Sequence, residues 1–204
     1  FAQGAWAQLL SRYSGEADVV FGTIVSGRPA SLPASDEMVG LFINTLPVRV
    51  QIDARPTSAW LAQLQADLAQ QDEYAHHPLA DIQKFAGLPP GVPLFESLLI
   101  FQNYPVEEAL ADALPGLRIG AFDVSDPNNY PLTLVVTPGK RLSLQALYDD
   151  GRFDRDTIVR LLRHVETLLV GLAGAQDRPN RSIPLLAAAE RDALLHGWND
   201  TGAP

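Results

Sequence analysis

The sequence predicts an α/β layered domain, and three observations carry that expectation. Short β-branched or alternating apolar runs of strand length recur along the 204 residues. Between them lie long stretches with apolar residues at helical spacing. Proline- and glycine-rich breakers separate the two kinds of segment.

Phe1, Ala5, Trp6, Leu9, Leu10 and Tyr13 recur at helical spacing, and Ser14-Gly15 ends that pattern. DVVFGTIV (18–25) reads as a fully buried strand. SGRPASLPASDE (26–37) is a loop of a length typical of functional segments. In MVGLFINTLPVRVQI (38–52), Asn44-Thr45 reads as a turn and Leu46 to Ile52 as a strand, with Pro47 marking an edge or strand entry. After Pro56, Thr57 or Ser58 is placed to cap a helix whose stripe is Trp60, Leu61, Leu64 and Leu68, running to about Tyr74. A second, short helix spans 78–85, before the breaker series GLPPGVP (87–93).

LFESLLIF (94–101) is the next strand, EEALADAL (107–114) one or two helical turns, and LRIGAFDV (117–124) another strand. PLTLVVTP (131–138) and LSLQALYDD (142–150) alternate on either side of PGKR, which predicts a hairpin. Asp154 then caps the strongest helix, with Ile158, Leu161, Leu162, Val165, Leu168, Leu169 and Leu172 as its stripe. DRPNRS (177–182) reads as a linker and 188–200 as a terminal amphipathic helix or turn. Trp6, Trp60 and Trp198 are expected as packing residues, and His164 and His196 as surface or interface residues without a partner in view.

Composition narrows the function. Hydrophobic residues at 47% supply a sizeable core, and charged residues at 19% argue against disorder. A net charge of −9 speaks against nucleic-acid binding, which needs a positive field toward the phosphates. No basic face invites an anionic membrane, and no apolar run is of spanning length. With no cysteine, disulfides, thiolate metal sites and cysteine nucleophiles are out; this fits a reducing cytoplasm. The chain begins without an initiator methionine and already in helical periodicity, as a piece of something longer would.

HHPLADI (76–82) places two histidines ahead of an aspartate, and a histidine general base needs an imidazole of fixed orientation within reach of the attacking group. Pro78 suits the first turn of a new helix, with His77 near its cap, and Asp81 would then complement the helix dipole. A helix-to-helix corner is therefore the expected structure. A metal site is not expected, since no third ligand lies at recognisable spacing.

Several stretches, taken together, resemble the condensation domain of nonribosomal peptide synthetases. DVVFGTIVSGRP is similar to the family's strand leading into a GRP loop, and MVGLFINTLPVRV to its VGxFxNTxPxR motif. QDEYAHHPLADIQ stands where the family's helix ends in a His-Pro or Tyr-Pro step. PLFESLLIFQNYP resembles NPLFDxxxxFQNxP, and LLAAAERDALLHGWNDTGAP the linker into an adenylation domain. These matches follow the family's order along essentially the whole chain.

The resemblance implies a chloramphenicol-acetyltransferase-like subdomain, a mixed β-sheet packed by helices, forming one half of a V-shaped two-subdomain fold. Residues 1–176 would be its C-terminal subdomain and 177–204 the linker toward an adenylation domain. The family joins carrier-bound acyl or peptidyl and aminoacyl thioesters into a peptide bond. Its HHxxxDG histidine lies on the N-terminal subdomain, and Ile82 stands here where that motif has glycine. No catalytic residue is therefore assigned to this chain, although a free-standing acyltransferase using His76 or His77 remains an alternative.

Asn44 and Thr45 are candidates to hold a thioester or amide carbonyl at the subdomain junction; Asn44 bonding its own backbone is the competing reading. Arg28 and Arg49 are candidates to pair with carboxylates of the other half. Gln102 and Asn103 lie at a strand end, and Asn129 in a loop that would cross to the partner subdomain. The implied partners are the N-terminal subdomain, upstream and downstream peptidyl carrier proteins and the adenylation domain. No cofactor is expected to bind directly; carrier proteins would deliver the phosphopantetheine arm. A docking platform without catalysis is the other reading of the same fold.

Overall fold

The computed structural model describes residues 1–28, 33–35, 37–89, 91–102, 129–175 and 177–200. Asn103, the predicted turns at 107–114 and the predicted strand at 117–124 lie outside them.

Five strands form one mixed sheet in the order β2-β1-β3-β4-β5. β1 (Asp18–Val25) pairs antiparallel with β2 (Asn44–Gln51) and parallel with β3 (Ser97–Phe101). β4 (Leu132–Thr137) runs parallel to β3, and β5 (Ser143–Tyr148) closes the predicted hairpin antiparallel to it. All but one residue of β4 is buried, from Leu132 to Val136, as a strand inside the sheet requires. β2 starts at Asn44, so Asn44 and Thr45 are strand residues opposite Val25 and Ile24 rather than a turn. Pairing along all of β1 overrides the local turn propensity of Asn-Thr.

α1 (Ala2–Ser14) ends at Gly15, whose φ of 79° lets its N–H bond back to Ser11 O at 2.9 Å. α2 (Thr57–Asp72) begins at Thr57 without a side-chain cap; instead the Thr57 hydroxyl donates to Arg178 O. That bond replaces the cap expected from Thr57 or Ser58. After α3 (Leu79–Phe85), the long helix α4 (Arg155–Gly174) is capped as expected, Asp154 accepting the Thr157 N–H at 2.8 Å. That bond, with one from the Thr157 hydroxyl, holds the Asp154 carboxyl below its ordinary range.

The core lies between the sheet and α1, α2 and α4. Trp6, Leu9, Phe21, Trp60, Leu134, Leu161, Val165, Leu168 and Leu172 meet there in one buried cluster. Trp60 also donates its Nε1–H to Gln51 O at 2.8 Å, so its indole has a polar partner at the core edge.

Residues 177–183, within the stretch read as linker, are packed onto this body. Asn180 is fully buried and donates to Asp53 Oδ1 and Arg55 O, while it accepts from Gln8 Nε2 on α1. Ile183 is buried against α4 beside Gly171.

The short helix α5 (Ala188–Asp192) follows and continues as one turn of π-helix, Ala193–Gly197. Trp198 is 75% exposed there, against the expectation of packing, because nothing in α5 or the π-turn is buried. No helix among the described residues is long and apolar enough to cross a membrane.

Candidate functional site

β1, β3 and β4 run parallel, so the chain leaves them at one end of the sheet. Asn44 and Thr45 open β2 at that end, opposite the last residues of β1. Arg28 follows β1 there and Gln102 follows β3. Loop ends at the carboxyl side of parallel strands are the usual place for a site in such sheets. Arg49 and Asn129 lie toward the opposite end: Arg49 faces Val20 in register, and Asn129 precedes β4. The structure thus gathers Arg28, Asn44, Thr45 and Gln102, and separates Arg49 and Asn129 from them.

Asn44 makes the most specific contacts of this group. Its side-chain N–H groups donate to Ala75 O and His77 O, both at 2.8 Å, and its Oδ1 accepts the Thr45 N–H at 2.9 Å. One amide thus ties the start of β2 to the corner between α2 and α3, including HHPLADI. The corner is the expected one. α2 stops at Asp72, His77 N–H bonds to Tyr74 O at 3.0 Å, and Pro78 caps α3 in extended backbone. Helical residues therefore begin one position later than predicted, at Leu79.

Within the corner the His76 and His77 rings lie 4.2 Å apart and Tyr74 stacks beside His77. Asp81 turns to Lys84 instead, at 2.8 Å, and that hydrogen bond holds its carboxyl below the ordinary range. No group of three or more metal-ligating side chains forms among the described residues.

Beside the corner lies an apolar cleft of about 450 Å³ lined by Leu46, Pro47, Gln71, Tyr74, His77, Ile82 and Phe85. Its lining is of the kind that accommodates an apolar group with a few polar atoms at the rim.

Arg28 donates to Ser35 O and lies over the Phe42 ring, 4.3 Å from its centre. Gly27 sits beneath that contact at a φ of 64°, so close that a Cβ would collide with Phe42 O. Arg28, next to Gly27, is therefore tied to Ser35 and Phe42. Arg49 forms a bidentate pair with Asp18 of its own sheet, 2.6 Å at its shortest, and holds that carboxyl low. The Gln102 N–H bonds to Val136 O at 2.9 Å, extending the ladder past β3.

Sequence reasoning passed over a second polar cluster. His164, expected at the surface or an interface and without a partner in view, is 4% exposed and has two partners, Tyr13 Oη 2.8 Å from Nδ1 and Glu190 Oε2 3.0 Å from Nε2. A signal for it existed: His164 falls three residues after Leu161 and four before Leu168, on the buried stripe.

A model of the condensation domain matches residues 1–195. One of the linear gramicidin synthase proteins of Brevibacillus parabrevis is 40% identical over 200 residues, covering 98% of this chain and 3% of that protein. Chondramide synthase cmdD of Chondromyces crocatus is 42% identical over 198 residues, covering 97% of this chain and 5% of that protein. The chain thus spans a small fraction of these curated relatives.

Among solved structures, one described as CT superposes with a TM-score of 0.77 at 21% identity, covering 90% of this chain and 42% of that one. The starter condensation domain of rhizomide synthetase superposes with a TM-score of 0.69 at 21% identity, again over 90% and 42%. At that identity the likeness shows the fold, a mixed α/β sheet of the chloramphenicol-acetyltransferase kind. Family match and relatives agree with the motif order along the sequence, and the chain belongs to the condensation-domain family of nonribosomal peptide synthetases.

Proposed function

We propose that this chain is the C-terminal subdomain of a condensation domain that joins carrier-bound acyl or peptidyl and aminoacyl thioesters. On this reading it forms one wall of the substrate tunnel, and the reacting histidine belongs to the N-terminal subdomain. The observation that carries the proposal is the corner at HHPLADI. Asp81 is hydrogen-bonded by Lys84 on the surface of α3 and touches His77 only through a minor charge interaction, which argues against a carboxylate fixed to orient either histidine as a base. The 42% coverage of the starter condensation domain of rhizomide synthetase supports a half-domain in the same sense.

The end of the sheet that carries Arg28, Asn44, Thr45 and Gln102 would face the tunnel, with Asn103 next in sequence after Gln102, and the loop of Asn129, from the other end, would cross to the partner subdomain. Arg49 would serve the junction only by exchanging its Asp18 partner. Peptidyl carrier proteins would bring both substrates on phosphopantetheine arms, and 177–204 would lead to an adenylation domain, in the cytoplasm. The decisive assay supplies the purified chain with loaded donor and acceptor carrier proteins. No dipeptidyl product is expected from the chain alone, and product is expected once the N-terminal half is added. Product from the chain alone that disappears in His77→Ala would overturn the reading.

A docking platform without catalysis is favoured by one feature, the exposure of Val39, Leu41 and Phe85 near the same sheet end. Saturable carrier-protein binding without turnover in the reconstituted domain would point there.

A further inference from the structure

The last described residues are fastened to the domain in two very different ways. Up to Ile183 the attachment is deep: Asn180 and Ile183 are buried, and Asn180 bonds to α1 and to the segment between β2 and α2. Beyond Leu185 it is thin. α5 is five residues long and contributes no buried residue. On its inward face only Glu190 and, one turn later, Leu194 are partly covered. A helix of this length has little stability of its own in water, so its position depends on what holds it.

What holds it is the chain Tyr13–His164–Glu190, with members on α1, α4 and α5. A carboxylate can only accept, so Nε2 of His164 carries a proton toward Glu190, and in the neutral ring Nδ1 then accepts from the Tyr13 hydroxyl. Burial raises the Tyr13 phenol above its ordinary value; Arg160 opposes this and Glu190 adds to it. The hydroxyl therefore keeps the proton it donates. Tyr13 sets the ring orientation, and the oriented ring presents Nε2–H to Glu190, the α5 side chain that hydrogen-bonds to the domain among the described residues.

We propose that residues 186–200 form a releasable strap, docked through Glu190 on the Tyr13-oriented His164 and free to detach while 177–183 remain seated. Detachment exposes one imidazole edge, one carboxylate and the already partly exposed Leu186 and Leu194, whereas removing Asn180 or Ile183 would uncover a fully buried amide or a fully buried apolar side chain. Opening is therefore local, at the low-stability end of the molecule. Docked, the strap fixes where the chain emerges beside α4. Released, the same stretch is a tether reaching about 50 Å when extended.

Amide hydrogen exchange on the whole chain tests this, read at Arg191 and Trp198, whose N–H groups bond to Ala187 O and Ala193 O. In Glu190→Ala these amides should exchange about tenfold faster, and trypsin should cut after Arg191 sooner. Amides of α4 and β4 should stay within about twofold of the unaltered chain. Tyr13→Phe should give an intermediate acceleration in the same amides, since the ring loses its orienting partner but not its carboxylate. Unchanged exchange at Arg191 and Trp198 in Glu190→Ala overturns the strap. So does acceleration spreading equally into α4 and β4, because the segment would then open only with the whole domain.

Discussion

Asn44 holds His77 by its main chain: the amide donates to the His77 carbonyl at 2.8 Å, and to that of Ala75 at the same distance. The grip is on the backbone, so the corner does not depend on the imidazole. Asn44→Ala leaves two half-buried carbonyls without their donor and should destabilise the domain by about 1–3 kcal/mol. His77→Ala keeps the same carbonyl and should change stability by no more than about 0.5 kcal/mol. Urea titrations of both variants check the contrast. Equal losses would mean that the ring, not the Asn44 clamp, secures the corner.

Asp154→Ala removes the cap of α4 and should lower the thermal midpoint at neutral pH by about 2–4 °C. The pH dependence follows from the depressed carboxyl. A folded-state value below the unfolded one gives stability that is present above the ordinary aspartate value of 3.8 and lost as pH falls through the folded value. Melting curves of the two proteins should therefore converge in acid.

Gly27→Ala meets two obstacles at once. The left-handed backbone costs an L-residue about 1–2 kcal/mol, and the new Cβ would press on the Phe42 carbonyl, which is main chain and has no rotamer to yield. A loss of at least about 2 kcal/mol is expected, seen as a lower urea midpoint at unchanged slope.

Gly171→Ala pits propensity against packing. In an exposed helix alanine would gain about 1 kcal/mol over glycine. Here its Cβ would lie 2.6 Å from Ile183 Cγ2, and Ile183 is 1% exposed within the core cluster. Overpacking of that kind costs about 1–3 kcal/mol, so the variant should be less stable, not more. Calorimetry decides the sign.

Most strands and helices, and the family, can be read from the order of residues. Alternation and β-branched runs are local properties, so β1 was legible to the residue and the β4–β5 hairpin nearly so. The same holds for the capped α4, whose cap and stripe lie within one contiguous segment. The helix corner at HHPLADI was legible for the same reason, from Pro78 and the position of Asp81.

Partners distant in sequence were not legible. Asn44 reads as a turn residue by its local neighbours; register against β1 made it the start of a strand and turned its amide toward residues some thirty positions away. Asp18 and Arg49 each look like a solitary surface charge until antiparallel pairing sets them side by side. His164 looks unpartnered because Tyr13 lies 151 positions before it and Glu190 26 after it. Periodicity reports which face of a helix is apolar; it cannot report which other element covers that face. The packing of α1, α4 and the terminal helix settles that, and it is also what links three side chains that look unrelated along the chain.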